Sequence, residues 1–569
     1  MRIIAILTLL FSSTSSKIHN DIFTEDLFIK PLNNEQLYAH FRFTTKWDVD
    51  STKDDLFQTR LFSRALSEII VRFNIQELHI TLTAGLWRYE TWGYPADDAA
   101  PGAEVWAWFK NTTEDVDKNW TDLTNFLSGL ICASLNQMDA RNSIVPDISF
   151  KPQGVVLDNV NSSYLRYSSL PREIVCTENL TPWKKLLPCD SKMGLASLLN
   201  AGNIHNTRYH SLGIHLKPIC RDVSCEETSL LLHQTVDLVY DYLIMRTRNW
   251  SLRSLFGQGI LNSCPLASSS SIYVDVSKNF TTNRFKLSPE PEFFTSKRGG
   301  DDKLLGKYKV VDGKPMNIGV NYIDQPNYEV NIPPVIYASQ YKIGYGQQRG
   351  GLVNKIYNNH WGSLEVVLLQ NIPWYVPIYL HTLKIISNNQ HLKPLKMIYK
   401  PGQPREKPHN LEIVLKLPPK SSTSISIDFE YMFLKWQEYP PDANHGFYIS
   451  SSIISAWLPL ARNYTGLPQD AITFSDSFNA SRSGYLVQIR TESIVITLPT
   501  PDFSMPYNVI CLACTVVALA FGPLHNITTK RLILVVKKSS PFWRFLDFTS
   551  SKKKNGNNEN VDNLDKKNE

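Results

Sequence analysis

The groups best able to do chemistry in this chain are its cysteines, a histidine series and a polar run that precedes an apolar stretch. The cysteines are Cys132, Cys176, Cys189, Cys220, Cys225, Cys264, Cys511 and Cys514. Cysteine reacts as its thiolate, so Cys176 paired with a histidine could act as a nucleophile, whereas a thiol consumed in a disulfide could not. On the residues alone, a local bond to Cys189 is the favoured fate of Cys176. Cys220 and Cys225 have no partners at metal-site spacing, and a short disulfide loop suits them better. His205, His210 and His215 recur every five residues. Strand or loop surface accounts for them better than a metal does. There is no Gly-rich phosphate loop opening a helix, no His-Glu-x-x-His and no Gly-x-Ser-x-Gly. The reading is against an enzyme and calls for no cofactor and no metal.

The elements that must position these groups are set by topology. Val509 to Phe521 is charge-free and almost wholly apolar, and the charge-free stretch extends from Met505 to Thr529. A membrane-spanning helix needs about 20 such residues. Lys530 and Arg531 follow at once, then Lys537 and Lys538, as a cytoplasmic flank requires. At the other end, Arg2 precedes apolar Ile3 to Phe11 and the small residues Ser12 to Ser16. This is the pattern of a cleaved secretory signal. A single-pass type I protein follows, its bulk on the lumenal or extracellular side. Of the net charge of +6, the stretch beyond Gly522 holds ten Lys/Arg against five Asp/Glu. The remainder is nearly neutral and has no basic footprint for nucleic acid.

The side assignment agrees with eight Asn-x-Ser/Thr triplets ahead of the span, at Asn111, Asn119, Asn161, Asn179, Asn249, Asn279, Asn463 and Asn479. These are expected glycosylation sites. Asn526, at the far edge of the span, should stay bare. Six cysteines fall on the oxidising side and should be mostly paired. The terminal Lys566-Lys567-Asn568-Glu569 looks like a dilysine retrieval signal, which favours the endoplasmic reticulum.

Along the chain, Leu37 to Phe43, Glu77 to Thr83, Ala103 to Phe109, Tyr209 to Pro218 and Ile272 to Val276 alternate as strands. Asp55 to Phe73 and Trp120 to Gln137 carry helical periodicity, the second with Cys132 on its apolar side. Thr228 to Met245 fits a helix or a long strand pair. From Ile336 onward short strands recur between Pro and Gly, which argues for a β-sandwich. The expected fold is mainly β (α+β), with two lumenal β-sandwich-like domains before one transmembrane helix. The expected boundaries are a signal peptide at 1–16, lumenal domain 1 at 17–266, a linker or insertion at 267–335, lumenal domain 2 at 336–498, the span at 505–529 and a cytosolic tail at 530–569.

Several runs resemble the PIG-T family, the non-catalytic subunits of the glycosylphosphatidylinositol (GPI) transamidase. They are Pro499 to Val516, Leu170 to Cys189, Cys264-Pro-Leu-Ala-Ser, Pro373-Trp-Tyr375 and Asp442-Ala-Asn-His-Gly-Phe-Tyr448. Glu77-Leu-His, Gly85-x-Trp-Arg and Ser128 to Asn136 add to them. The resemblance covers nearly the whole mature chain but not Asn279 to Pro333 or the tail after Lys530. It implies a complex in the endoplasmic reticulum membrane with four partner subunits. One partner, PIG-K, is a caspase-like protease that cleaves the precursor and passes the acyl group to GPI. It implies that Cys176 forms an intersubunit disulfide with that protease. One committed cysteine leaves five, so at least one stays free. Cys132 is the expected free thiol, buried in an apolar segment, with Cys220–Cys225 and Cys189–Cys264 as the other pairs. It also implies that Asp502, Ser504 and Asn508, at lumenal headgroup depth, line a GPI site with Asn444. Read without the resemblance, Ser504 and Pro506 serve equally well as a helix cap and first turn, and Asn444 as a turn residue.

Two other classes compete with this reading. An independent lumenal glycan-modifying hydrolase could draw on paired carboxylates and would be active without partners. A β-sandwich adhesion receptor would stain on the surface of intact cells.

Overall fold

The computed structural model describes residues 21–532, apart from 33–35, 50–58, 155–160, 191, 222–227, 242–246, 277–284, 299–300, 324–332, 345–347, 441–444, 459–477, 480–483 and 501–503. The expected signal segment, and the expected cytosolic tail beyond Leu532 with its terminal lysine pair, lie outside these residues. The chain forms two compact units, residues 1–500 and 501–569.

The first unit is mainly β, as expected. Its largest element is an 11-stranded sheet. From one edge its strands are Glu292–Arg298, Asp301–Lys309, Ser269–Asp275, Asp21–Pro31, Leu37–Trp47, Thr228–Tyr240, Tyr209–Cys220, Ile75–Ala84, Gly102–Phe109, Leu165–Leu170 and Ser143–Ile144. Neighbours run antiparallel, except that Asp21–Pro31 is parallel to Ser269–Asp275. Period-two alternation decides which side chains face the core. On Leu37–Trp47, Leu37, Ala39, Phe41 and Phe43 enter it, while Tyr38, His40, Arg42 and Thr44 face the other way, also buried.

The layer that covers the apolar face is helical rather than a second sheet. Helices Arg64–Arg72, Val116–Ile131 and Thr177–Lys184 bring Leu66, Ile69, Leu123, Leu127, Leu180 and Trp183 against Phe41, Ile80 and Leu232. Thr228–Tyr240 resolves as one long strand. The stretch 267–335 is more than a linker, because three of its strands extend the large sheet and Phe285–Ser288 pairs with Gly319–Tyr322. Its dense Lys, Asp and Gly hid that pairing from a reading by hydrophobicity.

Beyond Ile336 two further antiparallel sheets form, one of five strands and one of six. Ser421–Glu430 alternates buried and partly exposed residues. Asn354, Gln370 and Ser452 link the two sheets through buried hydrogen bonds, with Asn354 Nδ2 donating to Gln370 Oε1 at 3.0 Å. This is the sandwich expected for the second region.

Buried polar contacts join the two regions. Arg490 meets Glu104 through two bonds of 3.0 and 3.1 Å. Glu412 accepts the amides of Asp147 at 2.7 Å, Ile148 at 3.2 Å and Ser149 at 2.9 Å. Tyr94 donates its hydroxyl to the Ile336 carbonyl at 2.7 Å and accepts the Ile336 amide at 2.8 Å.

The second unit contains the helix Ser504–Thr529. Tyr507–Thr529, 23 residues of mean hydropathy 1.9, is long and apolar enough to cross a membrane. Its 26 residues extend about 39 Å at 1.5 Å each.

Candidate functional site

Cys176 sits where the last long strand of the large sheet hands over to a short helix. Leu165–Leu170 ends at Pro171, and Cys176 occupies the N-cap position of Thr177–Lys184. Asn179 fixes that turn. Its Oδ1 accepts the Cys176 amide at 2.8 Å. Its Nδ2 donates to the carbonyls of Ile131 at 3.1 Å and Cys132 at 2.8 Å, which are orphan acceptors at the end of helix Val116–Ile131. One amide group therefore ties two helix ends together. Val175 is buried, whereas Ile174 beside it is 80% exposed. Glu173 accepts the Ser134 amide at 2.8 Å, and Trp183 Nε1 donates to the Gly213 carbonyl at 3.0 Å.

Cys176 is a free thiol and half-buried. Its local alternative is taken, because Cys189 is bonded to Cys264. Cys220 is disulfide-bonded, and Cys225 lies outside the described residues. Cys132 is free as expected but exposed rather than buried. The helix ends at Ile131, and Cys132 takes a left-handed conformation with φ 56°. That turn swings its side chain away from the apolar face.

Cys132 and Cys176 share a cleft of about 660 Å³. One wall carries Ser134, Glu173 and Ile174 from the first region. The other carries Asn371, Tyr375, Tyr439, Phe447 and Tyr448 from the second. That second wall is an aromatic cluster, with the Phe447 ring 5.1 Å from Tyr375 and 5.8 Å from Tyr439. Three segments far apart in sequence thus converge: Leu170 to Cys189, Pro373 to Tyr375, and the end of Asp442 to Tyr448. Sequence reasoning found the segments but missed Ile174 and Tyr439. In the structure Ile174 stands exposed between buried Val175 and Glu173, whose carboxylate accepts the Ser134 amide, and no local pattern signals that exposure. Such a cleft is suited to receiving a protein segment, with a thiol at its edge.

The other expected site residues distribute as follows. Asn444 and Asp502 lie outside the described residues. Ser504 opens the helix, and Asn508 is exposed within it. Asn111, Asn161 and Asn249 are exposed, and Asn119 is half-buried with Nδ2 on the Phe73 carbonyl at 3.3 Å. Asn279 and Asn463 lie outside the described residues, and Asn479 ends the strand Phe478–Asn479. Asn179 corrects the sequon expectation. It is 1% exposed and both hydrogen-bonding ends of its amide are in use, so the folded chain has no room for a glycan there.

A second polar cluster lies on the reverse face of the large sheet. His40 Nδ1 is 2.8 Å from Asp237, and Tyr38 donates to the same carboxylate. His79 bridges Glu77 at 2.8 Å and His215 at 3.0 Å. Burial pushes the Glu77 carboxyl up to about 7 and the His215 imidazole down to about 3. Burial alone would raise Asp97, yet Arg42, then His215 and His40, hold it below the usual carboxylate range. His40, Asp97 and Asp237 bring ligand atoms within 4.8 Å of one another. With Arg42 acting on Asp97, and with His40 and Tyr38 hydrogen-bonded to Asp237, the cluster reads as a buried structural network. His210 is buried and packs edge-on against His205, rings 4.7 Å apart, which corrects the expectation of a surface series.

The sequence model of the Gpi16 family, described as the Gpi16 subunit, GPI transamidase component, matches residues 4–249 and 243–544. The GPI-anchor transamidase component PIGT of Mus musculus is 42% identical, with 91% of each chain covered. PIGT of Homo sapiens is likewise 42% identical over 90% of each. The GPI transamidase component GPI16 of Saccharomyces cerevisiae is 27% identical over 90% of this chain and 89% of its own. With matches of this length and identity, the chain belongs to the Gpi16 family of GPI transamidase components.

Proposed function

We propose that this chain is the accessory subunit that holds the caspase-like protease subunit, PIG-K, by an intersubunit disulfide at Cys176, with the catalytic groups on that other chain. The reading includes residence in the endoplasmic reticulum membrane with the bulk lumenal, N-glycosylation at accessible sequons, and a share in GPI binding. Asp502, Ser504 and Asn508, with Asn444, supply a carboxylate, a hydroxyl and amides able to hydrogen-bond a glycan or a cationic amine.

The observation that carries the reading is the state of Cys176. It is a free thiol at the edge of an open cleft, while Cys189, the local partner the residues alone favoured, is bonded to Cys264. An oxidising compartment leaves few such thiols unpaired unless a partner takes them. The test is Cys176→Ser in the intact complex. The expected result is loss of the covalent band to the protease subunit on a non-reducing gel, with the subunits still co-purifying in mild detergent. An unchanged band sinks the disulfide assignment. Activity of this chain purified alone would restore the hydrolase reading.

A further inference from the structure

The loop between the sandwich strand Ser421–Glu430 and the His445 region presents apolar surface that the fold does not use. Phe433 is 77% exposed and Trp436 is 51% exposed, with exposed Lys435 between them, whereas Leu434 is buried as an anchor. The loop is held in shape. The Lys435 amide donates to Glu438 Oε2 at 2.8 Å, and Arg405 pairs with the same carboxylate. The aromatic side chains are thus projected by a fixed backbone. Immediately after them, Tyr439 donates its hydroxyl to the carbonyl of Pro499. Pro499 is five residues short of Ser504, where the apolar helix begins. Five residues reach at most about 18 Å.

From this arrangement we infer that Phe433, Lys435 and Trp436 form an interfacial contact with the lumenal leaflet of the bilayer. The carbonyl to which Tyr439 is bonded lies five residues along the chain from the start of the apolar helix, and that covalent length is what limits the separation of loop base and span. Trp and Phe with an adjacent cation match the chemistry of the headgroup layer, where an amphipathic ring sits at the boundary and a lysine reaches phosphate. Exposed apolar side chains of this kind mark a contact surface, and the contact assigned to them is lipid. The inference rests on Ser504–Thr529 being the span and is independent of the disulfide at Cys176.

The test uses the full chain in nanodiscs of phosphatidylcholine that carries a diazirine near the glycerol end of one acyl chain. After irradiation, lipid adducts are mapped by mass spectrometry. Adducts on the Phe433–Trp436 peptide, as well as on the helix, are expected. The double substitution Phe433→Ser with Trp436→Ser is expected to lower adducts on Leu434 and Lys435 about fivefold and to leave those on the helix unchanged. Adducts confined to the helix would overturn the inference. So would the loop peptide becoming crosslinked to another subunit, in place of lipid, in the assembled complex. The unsubstituted chain alone decides the matter if the double variant fails to fold.

Discussion

The side-chain oxygen of Asn179 lies 2.8 Å from the backbone nitrogen of Cys176, and the amide nitrogen of the same residue closes off the helix that ends at Ile131. A residue that reads as a glycan acceptor is instead the clasp of the cysteine turn. Thr181→Ala destroys the Asn-Leu-Thr triplet without touching the Asn179 side chain. It is expected to leave electrophoretic mobility unchanged, whereas Asn111→Gln, at an exposed sequon, is expected to remove one glycan step. Asn179→Ala leaves the Cys176 amide and the Ile131 and Cys132 carbonyls without their partner and is expected to cost about 3 kcal/mol, at roughly 1 kcal/mol per group left unpaired. It should also lower the yield of the covalent band proposed to form through Cys176.

The Arg490–Glu104 pair joins the two regions of the first unit, with both side chains almost fully buried. Removing one charge strands the other, which typically costs about 3–5 kcal/mol. Arg490→Leu and Glu104→Leu are each expected to fall in that range. The double variant should cost markedly less than their sum. Thermal unfolding of the full chain in detergent measures all three, and strict additivity would show that the pair is not coupled.

Glu77 offers a pH signature. Its carboxyl is raised from 4.5 to about 7, first by burial, against amides of Gln153 and Gly154 and the charge of Lys217 that pull it down. A raised acid stabilises in its neutral form. That contribution is complete below pH 4.5 and is lost as pH climbs through 7. Glu77→Gln stays neutral throughout. The stability gap between the native chain and the variant is therefore expected to shift in the variant's favour by about 3 kcal/mol from pH 4.5 to 8. Unfolding midpoints at the two ends of that window check it, and a constant gap would contradict it.

The Cys189–Cys264 bond spans 75 residues. Closing a loop of that length stabilises by about 4 kcal/mol in the chain-entropy account. Replacing both cysteines with Ala should lower the unfolding free energy by that order and leave intact the band proposed to form through Cys176. Gly194 packs beside this bond at φ 65°, where an added Cβ would strike the Glu25 carboxylate and the Cys264 side chain. Gly194→Ala is accordingly expected to destabilise as much as a core substitution, read by the same melt.

Much of the architecture could be read from local pattern. Alternation located Ile75–Ala84 and Tyr209–Cys220, and apolar length located the helix that opens at Ser504. What stayed hidden depends on partners distant in sequence. Glu412 and Ser149 are 263 positions apart, and Arg490 and Glu104 are 386. No window of residues signals such a meeting. The histidines misled for a related reason. Sheet alternation places His215 on a face that looks like surface until its contact with His79, itself bonded to Glu77, is in place. Asn179 misled because a sequon is a local triplet, while burial is a property of the fold.

The three amides that close on Glu412, together with the Arg490–Glu104 pair, rivet the two cleft walls to each other. The guest proposed to dock at Cys176 would thus meet a mould rather than a jaw. The ordering entropy of docking then falls on the visitor's own loop, and tolerance for varied visitors must come from their pliancy.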